Sequence, residues 1–292
     1  MSTMPSAGLA ARSFRDRILR PVLIVSTPRS GSTLLFETLA KAPGLFSAGN
    51  ESHRRIEGVG NFSPRLRGWT SNRLDASDAT AEAIEELAQG FYTALHDRDG
   101  RPATGDVRML EKTPKNALRV PFFDAAWNDT VFVYLYRDVR QTLASMMEAW
   151  ASSKFMTYRD LPGWRGPPWS LLLTPNWRDL NGLQLPQIVA GQWATTTKFL
   201  VDDLSALPRN RVIGIDYSEF LTDPQGTMSA LSGHLGLQWD LQLPKALPYS
   251  KTTFSRPAPD KWRRLEPHIK AVWPTVEAAD ARARAFLEEV RR

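Results

Sequence analysis

The chain has 292 residues, a hydrophobic content of 42% and a formal net charge of +6. It has no cysteine and four scattered histidines, which excludes disulfides and cysteine-ligated metals and disfavours a structural zinc site. The sequence contains no apolar run of membrane-spanning length, no signal-peptide pattern and no nucleic-acid-binding motif, so we expect a cytoplasmic globular protein with neither a membrane span nor a nucleic-acid partner.

The predicted elements alternate between strands and helices. Strands are predicted at 22–26, 107–111, 130–136 and 211–216. Helices are predicted at 32–41, 78–96, 116–127, from 138 onward, and at 187–204, 224–235 and 275–291. This alternation is typical of an α/β protein with a central parallel sheet flanked by helices, in which phosphates bind at the carboxyl ends of the strands.

Three parts are predicted along the chain. Residues 1–20 are expected to be a flexible leader, within which 14–19 can form a short helix. Residues 21–292 are expected to form a single domain. An insertion at about 155–186 is rich in tryptophan and proline and lacks periodicity, which is typical either of a lid or of a surface excursion anchored by tryptophans. We favour the lid, because the segment directly follows the helix that begins at 138.

The first predicted strand continues into the turn S-T-P-R-S-G-S-T at 26–33 and then into an amphipathic helix. This order brings backbone N–H groups and a helix N-terminus around one point, which suits a phosphate. A Walker A loop has the pattern G-x-x-x-x-G-K-[ST], and alignment on Gly31 places Ser26 at the first glycine and Ser32 at the lysine. The positive charge lies instead at Arg29, before the glycine.

A second phosphate signal follows the apolar strand predicted at 130–136. A Walker B strand would end in an aspartate that holds Mg²⁺, whereas this strand ends in Arg137, whose charge suits a phosphate. Asp138 can cap the next helix, and Ser145 lies eight residues after Arg137, about two turns into that helix.

The motif P-R-S-G-S-T and the spacing R-D-x-x-x-x-x-x-S resemble the two phosphate sites of sulfotransferases that use 3′-phosphoadenosine 5′-phosphosulfate (PAPS). The resemblance covers about 21–265 and is to the bacterial and Golgi-type branch, similar in motifs to tyrosylprotein and glycan sulfotransferases. It implies a P-loop-like sulfotransferase fold, with PAPS as donor, PAP as product and no metal. It also implies a 3′-phosphate site at Arg137 and Ser145, and a 5′-phosphate loop formed by Arg29, Ser30, Gly31, Ser32 and Thr33.

Two further segments resemble catalytic motifs of the family. The stretch G-N-E-S-H-R-R at 49–55 is similar to G-E-E-T-R, which supplies a glutamate general base in tyrosylprotein sulfotransferases. The resemblance implies that Glu51 is the base, with His53 as the alternative. The stretch E-K-T-P at 111–114 is similar to one in glycan-modifying members, which implies that Lys112 and Arg29 stabilise charge on the sulfonate and the bridging oxygen. Lys115 is predicted to lie on the surface.

Two late segments carry further cofactor candidates. The stretch I-D-Y-S-E-F at 215–220 resembles one whose tyrosine lies near the adenine, and Tyr217 is equally well explained as an aromatic core residue. The stretch P-D-K-W-R-R at 259–264 resembles a basic loop that folds over the 3′-phosphate, which implies roles for Lys261 and Arg263.

The resemblance implies transfer of a sulfonate from PAPS to a hydroxyl of an acceptor, a small molecule or natural product or a carrier-bound chain. One alternative is a P-loop kinase for a small molecule, which the missing Walker lysine and the position of Arg137 disfavour. The other is a non-catalytic PAP-binding protein, which the presence of Glu51 and Lys112 disfavours.

Overall fold

A sheet of five parallel strands lies at the centre of the structure, a computed structural model that describes residues 12–250, 253, 258 and 260–291. The strands in these residues are β1 (Val22–Val25), β2 (Leu45–Ser47), β3 (Arg108–Glu111), β4 (Val131–Tyr136), β5 (Met156–Tyr158), β6 (Trp169–Ser170) and β7 (Val212–Asp216). The sheet has the order β2-β3-β1-β4-β7, and β5 and β6 form a separate antiparallel pair. The predicted α/β fold with a central parallel sheet is therefore confirmed.

Helices cover both faces of this sheet. In the described residues they are α1 (Phe14–Arg17), α2 (Ser32–Leu39), α3 (His53–Glu57), α4 (Ala81–Tyr92), α5 (Val120–Ala126), α6 (Val139–Ala151), α7 (Leu185–Ser205), α8 (Tyr217–Thr222), α9 (Pro224–Leu235) and α10 (Glu266–Val290). None of the described helices combines the length and the apolar character needed to cross a membrane.

The central strands are buried on both faces, as the strands of a parallel sheet must be when helices cover it. Successive side chains of β1 alternate between two cores: Leu23 packs with α4, α5, α7 and α10, whereas Val22 and Ile24 pack with α2 and α9. The six residues of β4 are all buried and divide in the same way. A continuous apolar run in the sequence therefore becomes the middle of a three-layer domain.

The observed elements differ from the predicted ones where local signals are weak. The three-residue strand β2 was not predicted, because it is short and pairs only through β3. The helix predicted at 78–96 is a short 3-10 turn followed by α4, which begins where the side chain of Thr80 caps it. Helix α10 begins at Glu266 rather than 275 and continues through Pro274. Burial of Val272 and Val276 on either side offsets the hydrogen bond that proline lacks.

The insertion at 155–186 is anchored by its tryptophans. The side chains of Trp169 and Trp177 are fully buried, and the ring of Trp169 packs edge-on against Trp150 of α6 with centroids 5.2 Å apart. The tryptophans therefore attach the segment to the domain, and its role as a lid stays a prediction. Nevertheless Phe155 and Met156 line the large cavity described below, so one edge of the insertion forms a wall of the site.

The predicted leader is packed in the part that the structure describes. Residues 1–11 lie outside the described residues. Phe14 begins α1 and packs against the core, and Ile18, whose side chain is buried, bridges to Val107 beside β3. The short helix allowed at 14–19 is thus present at its first four residues, and residues 12–20 are held on the domain rather than free of it. The division of 21–292 as a single domain stays a prediction.

Candidate active site

A cavity of about 660 Å³ opens at the carboxyl ends of the parallel strands. The segments after β1, β3, β4 and β7 all contribute to its wall, as expected for the ligand crevice of an open α/β sheet. The site residues expected from the sequence that line it are Arg29, Gly31, Ser32, Thr33, Glu51, His53, Arg137, Ser145, Tyr217 and Lys261.

The turn after β1 brings the backbone of Gly31 and the start of α2 to this cavity. Gly31 caps α2 at φ +93°, and a Cβ atom there would lie 2.1 Å from the ring of Tyr217, so only glycine fits. Arg29 also has a positive φ, of 67°, which a non-glycine residue adopts only when its surroundings hold it there. The first N–H groups of α2 have no partner within the helix, and Ser32 and Thr33 carry them to the cavity wall.

Ser30 belongs to this turn but not to the cavity wall. Its side chain is buried, and its hydroxyl oxygen lies 2.7 Å from Oγ1 of Thr27. This hydrogen bond closes the turn from within, and the role of Ser30 in binding the 5′-phosphate stays a prediction.

The second predicted phosphate site meets the first in the same cavity. Nη1 of Arg137 donates to the carbonyl of Arg29 at 3.0 Å, and Nε of Arg29 donates to Oγ of Ser145 at 3.4 Å. Burial lowers the pKa of both arginines, and at Arg29 the positive charge of Arg137 lowers it further. Two guanidinium groups that are buried side by side would be stabilised by a bound anion.

The guanidinium of Arg137 is held in place on two sides. Its Nε and Nη2 donate to Oε1 of Gln141, one turn further along α6, and its Cζ lies 4.7 Å above the ring of Tyr217. Asp138 accepts from the backbone N–H groups of Arg140 and Gln141, so its predicted capping role is confirmed. Tyr217 packs in the core and also lines the cavity, and its place near the adenine stays a prediction.

In the wall of the same cavity, Glu51 forms an ion pair with Lys112. Nζ of Lys112 lies 2.5 Å from Oε1 of Glu51 and donates to Oγ1 of Thr33 at 3.0 Å. Nε2 of His53 lies 2.9 Å from the other oxygen of Glu51. Lys112 is buried and does not belong to the described cavity wall, and it contacts two residues of that wall, Glu51 and Thr33.

These contacts determine the charge state of Glu51. Burial by itself raises its pKa, but the hydrogen bond to His53 and the charge of Lys112 outweigh burial and lower the pKa to about 2. Glu51 is therefore ionised at neutral pH. His53 lines the cavity, and its Nδ1 is buried with no hydrogen-bond partner in the described part of the chain, so its role as the alternative base stays a prediction.

A buried network fixes the segment that carries Glu51. Ser52 donates through its backbone N–H to Oγ1 of Thr113 at 2.7 Å and through its hydroxyl to Oε2 of Glu111 at 2.9 Å. Burial raises the pKa of the Glu111 carboxyl. The E-K-T stretch after β3 thus carries Lys112 and also positions the loop that bears its partner.

Of the two cofactor candidates in the basic segment at 259–264, Lys261 and Arg263, the described cavity wall includes Lys261. Lys261 lines the cavity and its ammonium pairs with Glu148 of α6. Arg263 is exposed, its guanidinium lies 3.2 Å from Asp260 and 3.9 Å from Glu266, and it is absent from the cavity wall as described. Pro259 lies outside the described part of the chain, as do residues 251, 252 and 254–257. The role implied for Arg263 stays a prediction.

Sequence reasoning missed two residues of the site. Lys115 was predicted to lie on the surface, and this is wrong: it is 4% exposed, because the 3-10 turn that starts at Pro114 directs it inward toward Glu57. Gln141 could have been found from its spacing, since it lies four residues after Arg137, in the first turn of α6. The described residues contain no group of three or more histidines and carboxylates placed to hold a metal ion.

Comparison with protein families gives a match to the sulfotransferase family over residues 21–241. This chain belongs to the sulfotransferase family. The match includes both phosphate motifs, the Glu51 loop and the E-K-T stretch, and ends before the late basic segment.

Individual relatives are distant. A Caenorhabditis briggsae protein that is provisionally named a protein-tyrosine sulfotransferase is 25% identical over 127 residues, or 44% of this chain. The match spans 42% of the length of that curated relative. A sulfotransferase structure from Alicyclobacillus acidocaldarius has a TM-score of 0.49 at 16% identity, with 94% of this chain and 98% of that one covered. A mouse sulfotransferase complexed with PAP has a TM-score of 0.42 at 11% identity, with 95% of each chain covered.

Proposed function

We propose that this protein transfers the sulfonate of PAPS to a hydroxyl group of an acceptor. The observation that supports the proposal most is the meeting of Arg29, Arg137 and Ser145 in one cavity that also holds Glu51 and the loop at Gly31. When bound, PAPS supplies the activated sulfonate and leaves as PAP. A hydroxyl acceptor and a cytoplasmic location stay predictions.

The residues present fit a nucleotide with two separate phosphate groups. Arg137, stacked on Tyr217 and held by Gln141, would bind the 3′-phosphate together with the hydroxyl of Ser145. The backbone at Gly31, Ser32 and Thr33 would bind the 5′-phosphate at the start of α2. Burial lowers the pKa of both arginines, and a bound phosphate would stabilise their charged forms.

Glu51 would accept the proton of the acceptor hydroxyl. It is ionised at neutral pH and each of its oxygens is anchored by one partner, which orients the carboxylate in the cavity. The ion pair with Lys112 makes it a weak base. Because Lys112 also contacts Thr33 at the phosphate loop, an anion in that loop would compete with Glu51 for the ammonium and so strengthen the base.

Arg29 and Lys112 would provide the positive charge that catalysis needs. Charge develops on the leaving oxygen in a loose transition state, and preorganised cations stabilise it. Arg29 is held by its strained backbone and by the ring of Phe155, 4.3 Å from its Cζ, while Lys112 is held by Glu51 and Thr33. His53 would position Glu51, because Nε2 is its contact with the carboxylate.

Ligand-dependent thermal stability tests the proposal. PAP should raise the melting temperature, and ATP with Mg²⁺ should raise it much less, because Ser32 occupies the place of the Walker lysine. Transfer of radiolabelled sulfonate from PAPS to a panel of phenols and alcohols tests the chemistry. A larger shift with ATP and Mg²⁺ would favour the kinase alternative, and PAP binding without transfer to any acceptor would favour a binding protein.

A further inference from the structure

A buried cluster of charged groups adjoins the acceptor end of the cavity and has no role in the chemistry proposed above. It is centred on Glu57, whose Oε1 accepts from Lys115 at 2.7 Å, from Arg119 at 2.8 Å and from Asn72 at 3.1 Å. Lys115 also donates to the hydroxyl of Tyr158 at 3.1 Å. Of these residues, Lys115 lines the cavity that contains Glu51 and His53.

The cluster has more positive charge than negative. Two cations, the fully buried Arg119 and the nearly buried Lys115, share a single carboxylate. The neighbouring carboxyl of Glu111 does not contact them; it accepts from Ser52 and Asn116, and burial raises its pKa toward the neutral form. Buried charges are stable when they are paired, so a further anion beside the two cations would stabilise the cluster.

Hydrogen bonds show the same excess of donors. The hydroxyl oxygen of Tyr158 accepts from Asn72 at 2.7 Å and from Lys115, and the described residues offer no acceptor for its own hydrogen. Lys115 has three N–H donors, of which Glu57 and Tyr158 take two. Burial lowers the pKa of Lys115 to about 8, which agrees with an ammonium that is incompletely compensated. A ligand that completes this cluster must supply acceptor oxygens.

The insertion contributes apolar side chains to the wall of the cavity that Lys115 lines. They are Phe155, Met156, Leu171 and Leu172. An acceptor that fills this region therefore needs an apolar body in addition to a hydroxyl for Glu51 and an oxygen anion for Lys115.

We propose that Lys115 binds an anionic group of the acceptor, so that the acceptors of this enzyme are small hydroxy acids: molecules with an apolar body, a hydroxyl and a carboxylate or similar oxygen anion. This inference rests on the proposed sulfotransfer for the identity of the ligand as an acceptor. Lys115 is a binding residue that selects and orients the acceptor, and the hydroxyl remains the reacting group.

Binding to the PAP-loaded protein tests this without the need for turnover. Three acid and amide pairs serve as probes: para-hydroxyphenylacetate and its amide, meta-hydroxybenzoate and its amide, and an omega-hydroxydecanoate and its amide. Each pair keeps shape and hydroxyl and changes only the charge. Calorimetry should show at least one acid that binds about tenfold more tightly than its amide, the effect of a charge-assisted hydrogen bond.

Three variants separate a binding role from a structural one. Lys115→Met keeps the apolar stem and should abolish the preference for the acid with little change for the amide. Lys115→Arg should restore it. Lys198→Met, at an exposed lysine of α7 paired with Asp202, is the matched control and should bind as the wild type does. Wild-type protein that binds no acid better than its amide overturns the proposal even if a variant fails to fold, and so does a preference that survives in Lys115→Met.

The same experiment distinguishes this proposal from the proposed function. PAP binding is measured first, in every variant. Failure of the wild type to bind PAP removes the proposed sulfotransfer, whereas a Lys115-dependent acid preference measured without PAP would still establish the anion subsite. Normal PAP binding with equal affinity for acids and amides removes the subsite alone.

Discussion

Nζ of Lys112 lies 2.5 Å from Oε1 of Glu51, so a cation proposed to stabilise the leaving oxygen and the proposed base of this enzyme form an ion pair with each other. The pair is completed by Thr33, which ties the ammonium to the phosphate loop, and by His53, which holds the other carboxylate oxygen. We therefore expect that phosphate binding in the loop at Gly31 and the basicity of Glu51 are linked through Lys112.

Replacement of Glu51 by glutamine tests the base. Glu51→Gln should lower turnover by about 10²–10⁴, the usual contribution of general-base catalysis, while it preserves PAP affinity. His53→Ala should cause a smaller loss, because it removes a group that orients the carboxylate. Initial rates at saturating PAPS and calorimetric PAP titrations measure both. Near-normal turnover of Glu51→Gln beside an inactive His53→Ala would assign the base to His53.

The ion pair also predicts how stability depends on pH. The pKa of Glu51 is lowered from its usual 4.5 to about 2, so its stabilising effect is fully present above 4.5 and is lost as the pH falls toward 2. We expect the difference in unfolding free energy between wild type and Glu51→Gln to be largest near neutral pH and to shrink progressively below about pH 4.5. Urea unfolding at a series of pH values measures it. A difference that grows on acidification would contradict the lowered pKa.

Arg137→Ala should weaken PAP binding through the loss of a charge-assisted hydrogen bond, worth about 1.5–3 kcal/mol or about ten- to a hundredfold in affinity. Adenosine 5′-phosphosulfate, which lacks the 3′-phosphate, should be affected little. Arg140→Ala is the matched control, because Arg140 lies three residues further along the chain, in α6, and pairs with Asp138. Equal weakening of both nucleotides by Arg137→Ala would show that Arg137 supports the fold and not the phosphate.

Gly31→Ala should disrupt the phosphate loop. The new Cβ would lie 2.1 Å from the ring of Tyr217, and displacement of that ring would also remove the surface on which Arg137 stacks. Gly100→Ala is the control: its φ is similarly positive, at +80°, but a Cβ there meets nothing within 4 Å. It should cost only the backbone strain, about 1–2 kcal/mol. Equal losses of stability and of PAP affinity in the two variants would contradict the role of the close approach to Tyr217.

Local sequence determined the two phosphate motifs and the fold class. The loop at Gly31 and the pair Arg137 and Ser145 each lie on a strand, a turn and a helix that follow one another directly, so their geometry depends on neighbouring residues and on the rule that parallel strands end at a common edge. The apolar runs of β1 and β4 likewise predict a sheet that is buried on both faces.

Only the tertiary structure decided which charged side chains meet. Glu51 and Lys112 are 61 residues apart in the sequence, and Glu57 and Lys115 are 58 residues apart. No local sequence pattern predicts either contact. Lys115 and Arg263 are both basic residues of 3-10 turns, yet Lys115 is buried against Glu57 and Arg263 is exposed beside Asp260. The reason is physical: strand and helix formation depend on short-range periodicity, whereas the burial and partner of a long charged side chain depend on how distant loops pack around the end of the sheet.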